Sequence, residues 1–310
     1  MNKILLPKGI RIGHAHDNYT GVTCILTDRA VGGVSVRGGA PGTRETDMLR
    51  AEKSQGFVDA IVLSGGSAFG LEAACGVTRY LFERGVGYKA GDKIVPLVSQ
   101  AILFDLIVPS EYHYPDSDMG YKSAASAASD NVVFGNVGAG RGATVAKILG
   151  PQSARKSGIG AATVTFNDVF VTAVIAVNAL GDVYDHKSGK LLAGALLPNG
   201  EMMSAIDCLT NGMFAAKARE AMQKSAGTNT TIGCVMTNAK LDKTHVNKLA
   251  DISHDGLALS IRPVHTDADG DTLFALSSGE GIIDYNILAA IAVEATALAV
   301  ENAVKEVCGK

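Results

Sequence analysis

Asn229, Thr230 and Thr231 are the residues with the clearest capacity for chemistry in this chain. They follow a polar, glycine-containing run and precede the apolar run IGCVM, residues 232–236. This layout predicts a loop that leads into a β-strand whose first residue carries a hydroxyl. If the peptide bond between Asn229 and Thr230 is cut, Thr230 holds both a nucleophile, its Oγ, and a base, its freed α-amine. An ordinary turn before a strand is the alternative interpretation.

Two acidic residues bracket a glycine in the segment DADGDT, residues 267–272. Asp269 and Asp271 would share one face of an extended chain and could position a catalytic group. The spacing resembles a calcium loop, but its twelfth position is Ser278, so the EF-hand interpretation fails. Solvated acids in a turn are the other interpretation of this pair.

Asn178 and Lys156 are two further candidates. Asn178 ends an apolar run, where it is either a turn residue or a side-chain amide that donates to a developing oxyanion. Lys156 precedes Ser-Gly and is either a surface charge or a cation in a cleft that binds a carboxylate or tunes an amine.

Glycine loops provide the candidate lining of a substrate pocket. Gly138 and Gly140 belong to a G-x-G-x-G run, which lacks the spacing of a dinucleotide site and the Lys-Ser/Thr of a phosphate loop. Ser64 and Gly65 follow a short apolar run, but Val62 stands where a nucleophile elbow around Ser64 requires a glycine. We expect tight turns at both places, with backbone N–H groups available to a small molecule.

Composition limits the class of protein. The chain has 310 residues, 47% of them hydrophobic and 19% charged, with a formal net charge of −3. These values favour a folded protein and give no reason to expect nucleic acid or an anionic membrane as a partner. The five cysteines are scattered, and the N-terminal apolar run is too short for a signal peptide, so we expect a cytoplasmic protein. No motif predicts a cofactor or a metal site.

The pattern of elements predicts an α/β (α+β) protein in one domain, residues 1–310. Strands and helices alternate, but several strands are joined by short turns, which favours packed sheets covered by helices. Asn167-Asp168 is expected to turn between two strands, and residues 286–307 to form a buried helix. Other expected strands span residues 21–27, 32–37 and 102–108.

Ten short motifs, taken in order along the chain, resemble the L-aminopeptidase/D-esterase family, which includes β-peptidyl aminopeptidases and nylon-oligomer hydrolases. They are IGH (12–14), GVT (21–23), RGGAPGT (37–43), LSGGSAFGL (63–71), GNVGAG (135–140), KSGIG (156–160), VN (177–178), NTTI (229–232), HDGLA (254–258) and DADGDT (267–272). Each motif is weak alone, and the ordered series is specific.

The resemblance implies a four-layer αββα sandwich of the N-terminal-nucleophile kind and a precursor that cleaves itself. Cleavage between Asn229 and Thr230 would give chains 1–229 and 230–310. By resemblance Thr230 is the nucleophile, Asn178 stabilises the oxyanion and Lys156 assists near the amine. Asp269 and Asp271 would orient the amine and the hydroxyl.

The expected activity is hydrolysis of amide bonds in small substrates, either as an aminopeptidase or as an ω-amino-acid oligomer hydrolase. Thr with two Asp is closer to the nylon-oligomer branch, because the aminopeptidase branch usually has Ser with a Ser/Glu pair. The alternatives are an acyltransferase of the ornithine acetyltransferase type and an uncut metabolite-binding relative. The resemblance also implies a homo-oligomer, a tetramer of cleaved pairs.

Overall fold

The structure is a computed structural model that describes residues 3–106, 112–224 and 228–308. Within these ranges the chain forms β-strands and α-helices with the bounds that follow. The strands are β1 (Arg11–His16), β2 (Gly21–Val36), β3 (Thr43–Arg44), β4 (Phe57–Ser64), β5 (Tyr88–Ala90), β6 (Lys93–Val95), β7 (Val98–Ile102), β8 (Thr144–Val145), β9 (Arg155–Lys156), β10 (Ile159–Phe166), β11 (Val169–Asn178), β12 (Asp182–Tyr184), β13 (Leu191–Ala193), β14 (Ala195–Leu196), β15 (Met202–Met203), β16 (Thr230–Ala239), β17 (Ile261–Arg262) and β18 (Thr272–Gly281). The helices are α1 (Ala73–Phe82), α2 (Ser117–Ala125), α3 (Ala205–Thr210), α4 (Gly212–Lys224), α5 (Lys243–Ser260) and α6 (Tyr285–Cys308).

A single long strand, β2, connects two halves of the main sheet. The strand order is β10-β11-β16-β18-β2-β4-β7-β3, and β1 also pairs with β2. The first part of β2 pairs with β1 and β4, while its last residues pair with β18. The register with β4 shifts between Leu26 and Ala30, where Arg29 has a φ of 64°. The two strands expected at residues 21–27 and 32–37 are therefore one strand, because a bulge redirects the chain without ending it.

Alternation along the strands produces four layers. Ile232 and Phe274 point into a core that also contains Ile25 and Leu63, from the other half of the sheet. Their neighbours on the opposite face pack under α5 and α6, and the outer face of β2 and β4 packs under α1 and α2. Because side chains on a strand alternate between faces, each half of the sheet buries one face against the other half and one against helices. This is the predicted αββα sandwich.

The C-terminal helix α6 is a core element. Tyr285–Val307 is long and apolar enough to cross a membrane by length and composition, with a hydropathy of 1.7, and 61% of an 18-residue stretch within it is buried inside the protein. A Cβ added at Gly160 of β10 would lie 2.1 Å from the carbonyl oxygen of Ala299, so the helix and the sheet approach closely. Burial of this helix was predicted from its apolar residues and is confirmed.

The hairpin from β10 to β11 leads to the candidate residue Asn178, which ends β11. Its turn is formed by Asn167 and Asp168, as predicted, and Asn167 has a φ of 52°, a conformation that Asn tolerates. The strand expected at residues 102–108 lies earlier in the chain. The strand β7 spans Val98–Ile102, residues 103–106 are irregular, and residues 107–111 lie outside the described ranges.

Candidate active site

Thr230 begins β16, a central strand with β11 on one side and β18 on the other. Asn178, the last residue of β11, lies opposite Thr230 in the antiparallel register. Asn229 and Thr230 are both buried, with exposed fractions of 0% and 3%. The residues of the expected cleavage site and the candidate oxyanion donor are therefore neighbours inside the protein.

The carbonyl oxygen of Asn229 receives two donors. The backbone N–H of Gly270 lies 2.9 Å from it, and the hydroxyl of Thr230 also donates to it. A parallel bridge between Asn229 and Asp269 fixes the two segments side by side. The hydroxyl of Thr230 thus contacts the amide group that self-cleavage would break, and a backbone N–H already polarises that group.

The two acidic candidates lie in the loop before β18 and are buried. Oδ1 of Asp271 accepts the backbone N–H of Thr231 at 2.6 Å, next to Thr230. Oδ2 of Asp269 accepts the backbone N–H and the hydroxyl of Thr266, at 2.9 Å and 2.6 Å. Burial raises the pKa of Asp269, and the charge of Asp271 raises it further. One carboxylate of the pair therefore bonds the backbone next to Thr230, and the other has a raised pKa.

The motif RGGAPGT, residues 37–43, supports this acidic loop. The backbone N–H groups of Gly38 and Ala40 donate to the carbonyl oxygens of Asp271 and Asp269, at 3.2 Å and 2.8 Å. A Cβ at Gly38 would lie 2.3 Å from the carbonyl oxygen of Asp269. Glycine is required there because the two backbones are in direct contact.

A lysine that the sequence analysis missed contacts Asn178. Nζ of Lys147 lies 2.9 Å from Oδ1 of Asn178 and 3.3 Å from the carbonyl oxygen of Thr228, next to the expected cleavage site. Burial lowers the pKa of Lys147 to about 7, while the charges of Asp269 and Asp105 act in the opposite direction. The signal in the sequence was a single Lys inside the otherwise apolar run VAKIL, residues 145–149.

Lys156 lies on the glycine loop. Its Nζ donates to the carbonyl oxygens of Arg141, Ala143 and Gly140, at 2.6, 3.1 and 3.4 Å. The short strands β8 and β9 pair Thr144 with Lys156 and so hold the lysine beside the loop. These contacts cap carbonyl groups of the loop, whereas Lys147 is the lysine that contacts Asn178.

Asn178 is held by donors and acceptors on all sides of its amide. Its Nδ2 donates to the carbonyl oxygen of Phe104 at 2.8 Å and, more weakly, to that of Thr228 at 3.4 Å. Its Oδ1 accepts the backbone N–H of Thr144 at 3.1 Å in addition to Lys147. This arrangement fixes the amide with its N–H groups toward the chain that precedes Thr230.

The pocket candidates Ser64 and Gly65 have structural contacts. Oγ of Ser64 is buried, donates to the carbonyl oxygen of Gly70 at 3.1 Å and accepts from Nε2 of Gln100 at 2.8 Å. A Cβ at Gly65 would lie 2.3 Å from Oδ2 of Asp105, so this glycine makes room for a buried carboxyl. Burial raises the pKa of Asp105 to about 6.

The pocket candidates Gly138 and Gly140 are also buried. Gly138 has a φ of 52°, and a Cβ there would lie 2.3 Å from Oγ of Thr23. A Cβ at Gly140 would lie 2.2 Å from the backbone nitrogen of Ile159. Both glycines thus let the loop pack closely against β2 and β10.

Chemically, the site offers a hydroxyl, a polarised carbonyl group, an amide donor and a lysine beside it. These groups suit acyl transfer to a threonine, in which a nucleophile attacks a carbonyl and nearby N–H groups stabilise the oxyanion. Across the described ranges, no group of three or more His, Cys, Asp or Glu side chains is placed to hold a metal ion.

Comparison with known proteins shows similarity to one peptidase family along nearly the whole chain. The model of peptidase family S58 matches residues 2–308. An uncharacterized aminopeptidase of Mycobacterium tuberculosis (strain H37Rv) is 39% identical over 298 residues, covering 90% of this chain and 82% of the relative. A 6-aminohexanoate-oligomer endohydrolase of Paenarthrobacter ureafaciens is 32% identical over 278 residues, covering 88% and 74%.

Solved structures show the same fold. The L-aminopeptidase D-Ala-esterase/amidase of Ochrobactrum anthropi, described as a variant of the Ntn hydrolase fold, aligns with a TM-score of 0.70 at 18% identity, covering 98% of this chain and 87% of that one. A β-aminopeptidase of Burkholderia sp. aligns with a TM-score of 0.66 at 19% identity, covering 96% and 83%. The predicted family and its N-terminal-nucleophile-like fold are confirmed, and the chain belongs to peptidase family S58.

Proposed function

We propose that this protein is a self-processing amidohydrolase that cuts its own chain between Asn229 and Thr230 and then uses Thr230 as an N-terminal nucleophile. The observation that carries the proposal is the contact of the Thr230 hydroxyl with the carbonyl group of Asn229, to which the N–H of Gly270 also donates. A hydroxyl, a carbonyl group and a backbone N–H donor thus lie together in the uncut chain, which supports attack at this bond.

Self-cleavage proceeds by an N→O acyl shift. Oγ of Thr230 attacks the carbonyl carbon of Asn229, and the hydroxyl proton is transferred to the departing backbone nitrogen of Thr230. The N–H of Gly270 stabilises the negative charge that develops on the carbonyl oxygen. Water then hydrolyses the ester, which leaves a carboxylate on Asn229 and a free amine and hydroxyl on Thr230.

Hydrolysis of a substrate repeats the acyl transfer with the new amine as the general base. A free α-amine has a reference pKa of about 8, which suits proton transfer near neutral pH. Oγ attacks the amide carbon of the substrate, and the amine of Thr230 accepts the hydroxyl proton and passes it to the substrate nitrogen, which leaves as an amine when the C–N bond breaks. Water then hydrolyses the short-lived acyl-enzyme ester, which releases the carboxylate product and restores the hydroxyl of Thr230. Asn178 donates to the oxyanion. Lys147 contacts the Asn178 amide, so we assign to Lys147 the role that the resemblance gave to Lys156.

The proposed substrates are small peptides and amides. The related proteins are named for aminopeptidase activity and for cleavage of 6-aminohexanoate oligomers, both of which break amide bonds. Thr230 with Asp269 and Asp271 favours the second group, so we propose oligomers of ω-amino acids as the first substrates to assay. We further propose that the mature protein is a cytoplasmic homo-oligomer of cleaved pairs.

The test compares wild type with Thr230→Ala and Thr230→Ser by intact mass during incubation. We expect wild type to split into two fragments, residues 1–229 and 230–310, the alanine variant to stay whole, and the serine variant to split. Matured wild type is then assayed on amino-acid amides, β-dipeptides and 6-aminohexanoate oligomers. An alanine variant that splits at the same bond, or full activity from a chain that never splits, contradicts the proposal.

A further inference from the structure

His265 lies behind the acidic loop and makes two hydrogen bonds to one carboxylate oxygen. Its backbone N–H and its ring Nδ1 lie 3.1 Å and 2.8 Å from Oδ2 of Asp271. The other oxygen of Asp271 accepts the N–H of Thr231 at 2.6 Å. Asp271 therefore links a histidine to the residue next to the proposed nucleophile.

The protonation of the ring follows from its partner. An ionised carboxylate can only accept hydrogen bonds, so Nδ1 of His265 carries the proton. The ring meets the ring of His254 edge to face, with centroids 4.8 Å apart. Nε2 of His254 in turn donates to the backbone oxygen of Ser35 at 3.1 Å. The His265 ring is thus held between the Asp271 carboxylate and the ring of His254.

The backbone at His265 explains how the ring reaches the carboxylate. His265 has a φ of 57°, in the left-handed region that Asn and Asp also tolerate. This turn directs both the backbone N–H and the ring at the same oxygen. Other groups near the pair are Asp269, whose pKa is raised by burial and by the charge of Asp271, and Arg37, whose backbone N–H donates to the carbonyl oxygen of Asp271.

We propose that His265 is a positioning residue that holds the Asp271 carboxylate in the orientation that fixes the Thr230-Thr231 backbone for acyl transfer. Without the ring, Oδ2 of Asp271 keeps only the backbone N–H of residue 265 as a donor, and the carboxylate is held less firmly in the orientation that bonds Thr231.

The kinetic test, which rests on the proposed function, compares His265→Leu with His265→Asn. Leucine removes the ring donor, whereas the side-chain amide of Asn can place an N–H near the position of Nδ1 and suits a positive φ. We expect His265→Leu to slow self-cleavage and lower kcat about 10- to 100-fold, as for loss of a charge-assisted hydrogen bond, with KM little changed. The Asn variant should recover most of the rate.

A second measurement needs no activity. In the uncut Thr230→Ala background, the backbone N–H of Thr231, which donates to Oδ1 of Asp271, should exchange with solvent faster in the His265→Leu variant than in the His265→Asn variant. This exchange does not depend on the proposed function, so a failure of that function is distinguishable from a failure of the positioning role. A leucine variant with unchanged reaction rates and unchanged exchange of the Thr231 N–H, or an Asn variant as impaired as the leucine one, overturns the proposal.

Discussion

Asn178 and Thr230 face each other across two adjacent antiparallel strands, at the point where β11 ends and β16 begins. They are 52 positions apart along the chain, by subtraction of the two residue numbers. The pairing brings the amide of Asn178 to the carbonyl oxygen of Thr228, one residue before the expected cleavage site. Strand register thus places the proposed oxyanion donor beside the proposed nucleophile.

Asn178→Ala should lower kcat for amide hydrolysis about 100-fold, the usual loss when one oxyanion donor is removed. The measurement is steady-state kinetics on matured protein. Asn238→Ala is the matched control, because Asn238 lies toward the other end of β16 and its amide also bonds backbone groups, at Phe170 and Asp168. Equal losses in both variants would mean that the effect comes from disturbing the sheet and not from oxyanion stabilisation.

Lys147→Met and Lys156→Met should differ in their effects on the rate of self-cleavage and on thermal stability. We expect the first to slow self-cleavage about 10-fold or more, because it removes a charge-assisted hydrogen bond from Asn178. The second should change the cleavage rate less than about threefold, while lowering thermal stability as three carbonyl groups lose a donor. Intact mass against time and thermal melting separate the two effects. If Lys156→Met cleaved itself more slowly than Lys147→Met, Lys156 would be the lysine that assists self-cleavage.

Gly270→Ala should impair self-cleavage by crowding the nucleophile. A Cβ at this position would lie 2.7 Å from Oγ of Thr230 and 2.8 Å from the carbonyl oxygen of Ala40, so one of these groups must move. We expect a loss of about 10- to 100-fold, as when reacting groups are misplaced by a fraction of an ångström. Gly56→Ala is the control, since a Cβ there meets nothing within 4 Å among the described residues. Normal cleavage by Gly270→Ala would show that this close contact does not set the geometry of attack.

Lys147 should make stability depend on pH. Burial lowers its pKa from the ordinary value of 10.5 to about 7, so between these values the unfolded chain binds more protons than the folded one. The free energy of unfolding should therefore rise with pH from about 7 to about 10, by up to about 1.4 kcal/mol per pH unit from this group. Below pH 7 the full cost of burying the ammonium is present.

Urea unfolding at about pH 7, 8 and 9 measures this dependence, which spans the interval between the two pKa values. The Thr230→Ala chain should be used, with and without Lys147→Met, so that cleavage does not intervene. The methionine substitution should remove most of the rise that Lys147 contributes, because methionine does not titrate. Identical slopes in the two proteins would mean that Lys147 keeps an ordinary affinity for protons in the folded state.

Much of the fold can be predicted from local patterns. The turn at Asn167-Asp168, the apolar strands on either side of it and the buried α6 follow from turn chemistry and periodicity, which act over a few residues. The prediction of two strands in place of β2 was wrong because a bulge near Arg29 resembles a turn in the sequence, while pairing to both halves of the sheet keeps the strand continuous.

The sequence by itself determined the candidate residues for the proposed chemistry: a threonine at the start of a strand, an asparagine at the end of another, and two aspartates around a glycine. Only the tertiary structure shows which lysine contacts the asparagine. Lys147 and Lys156 are nine positions apart by their residue numbers, yet one bonds Asn178 and the other bonds the glycine loop. Which lysine reaches Asn178 depends on strand register and on loop packing between distant segments. Local sequence patterns span a few residues and therefore predict neither.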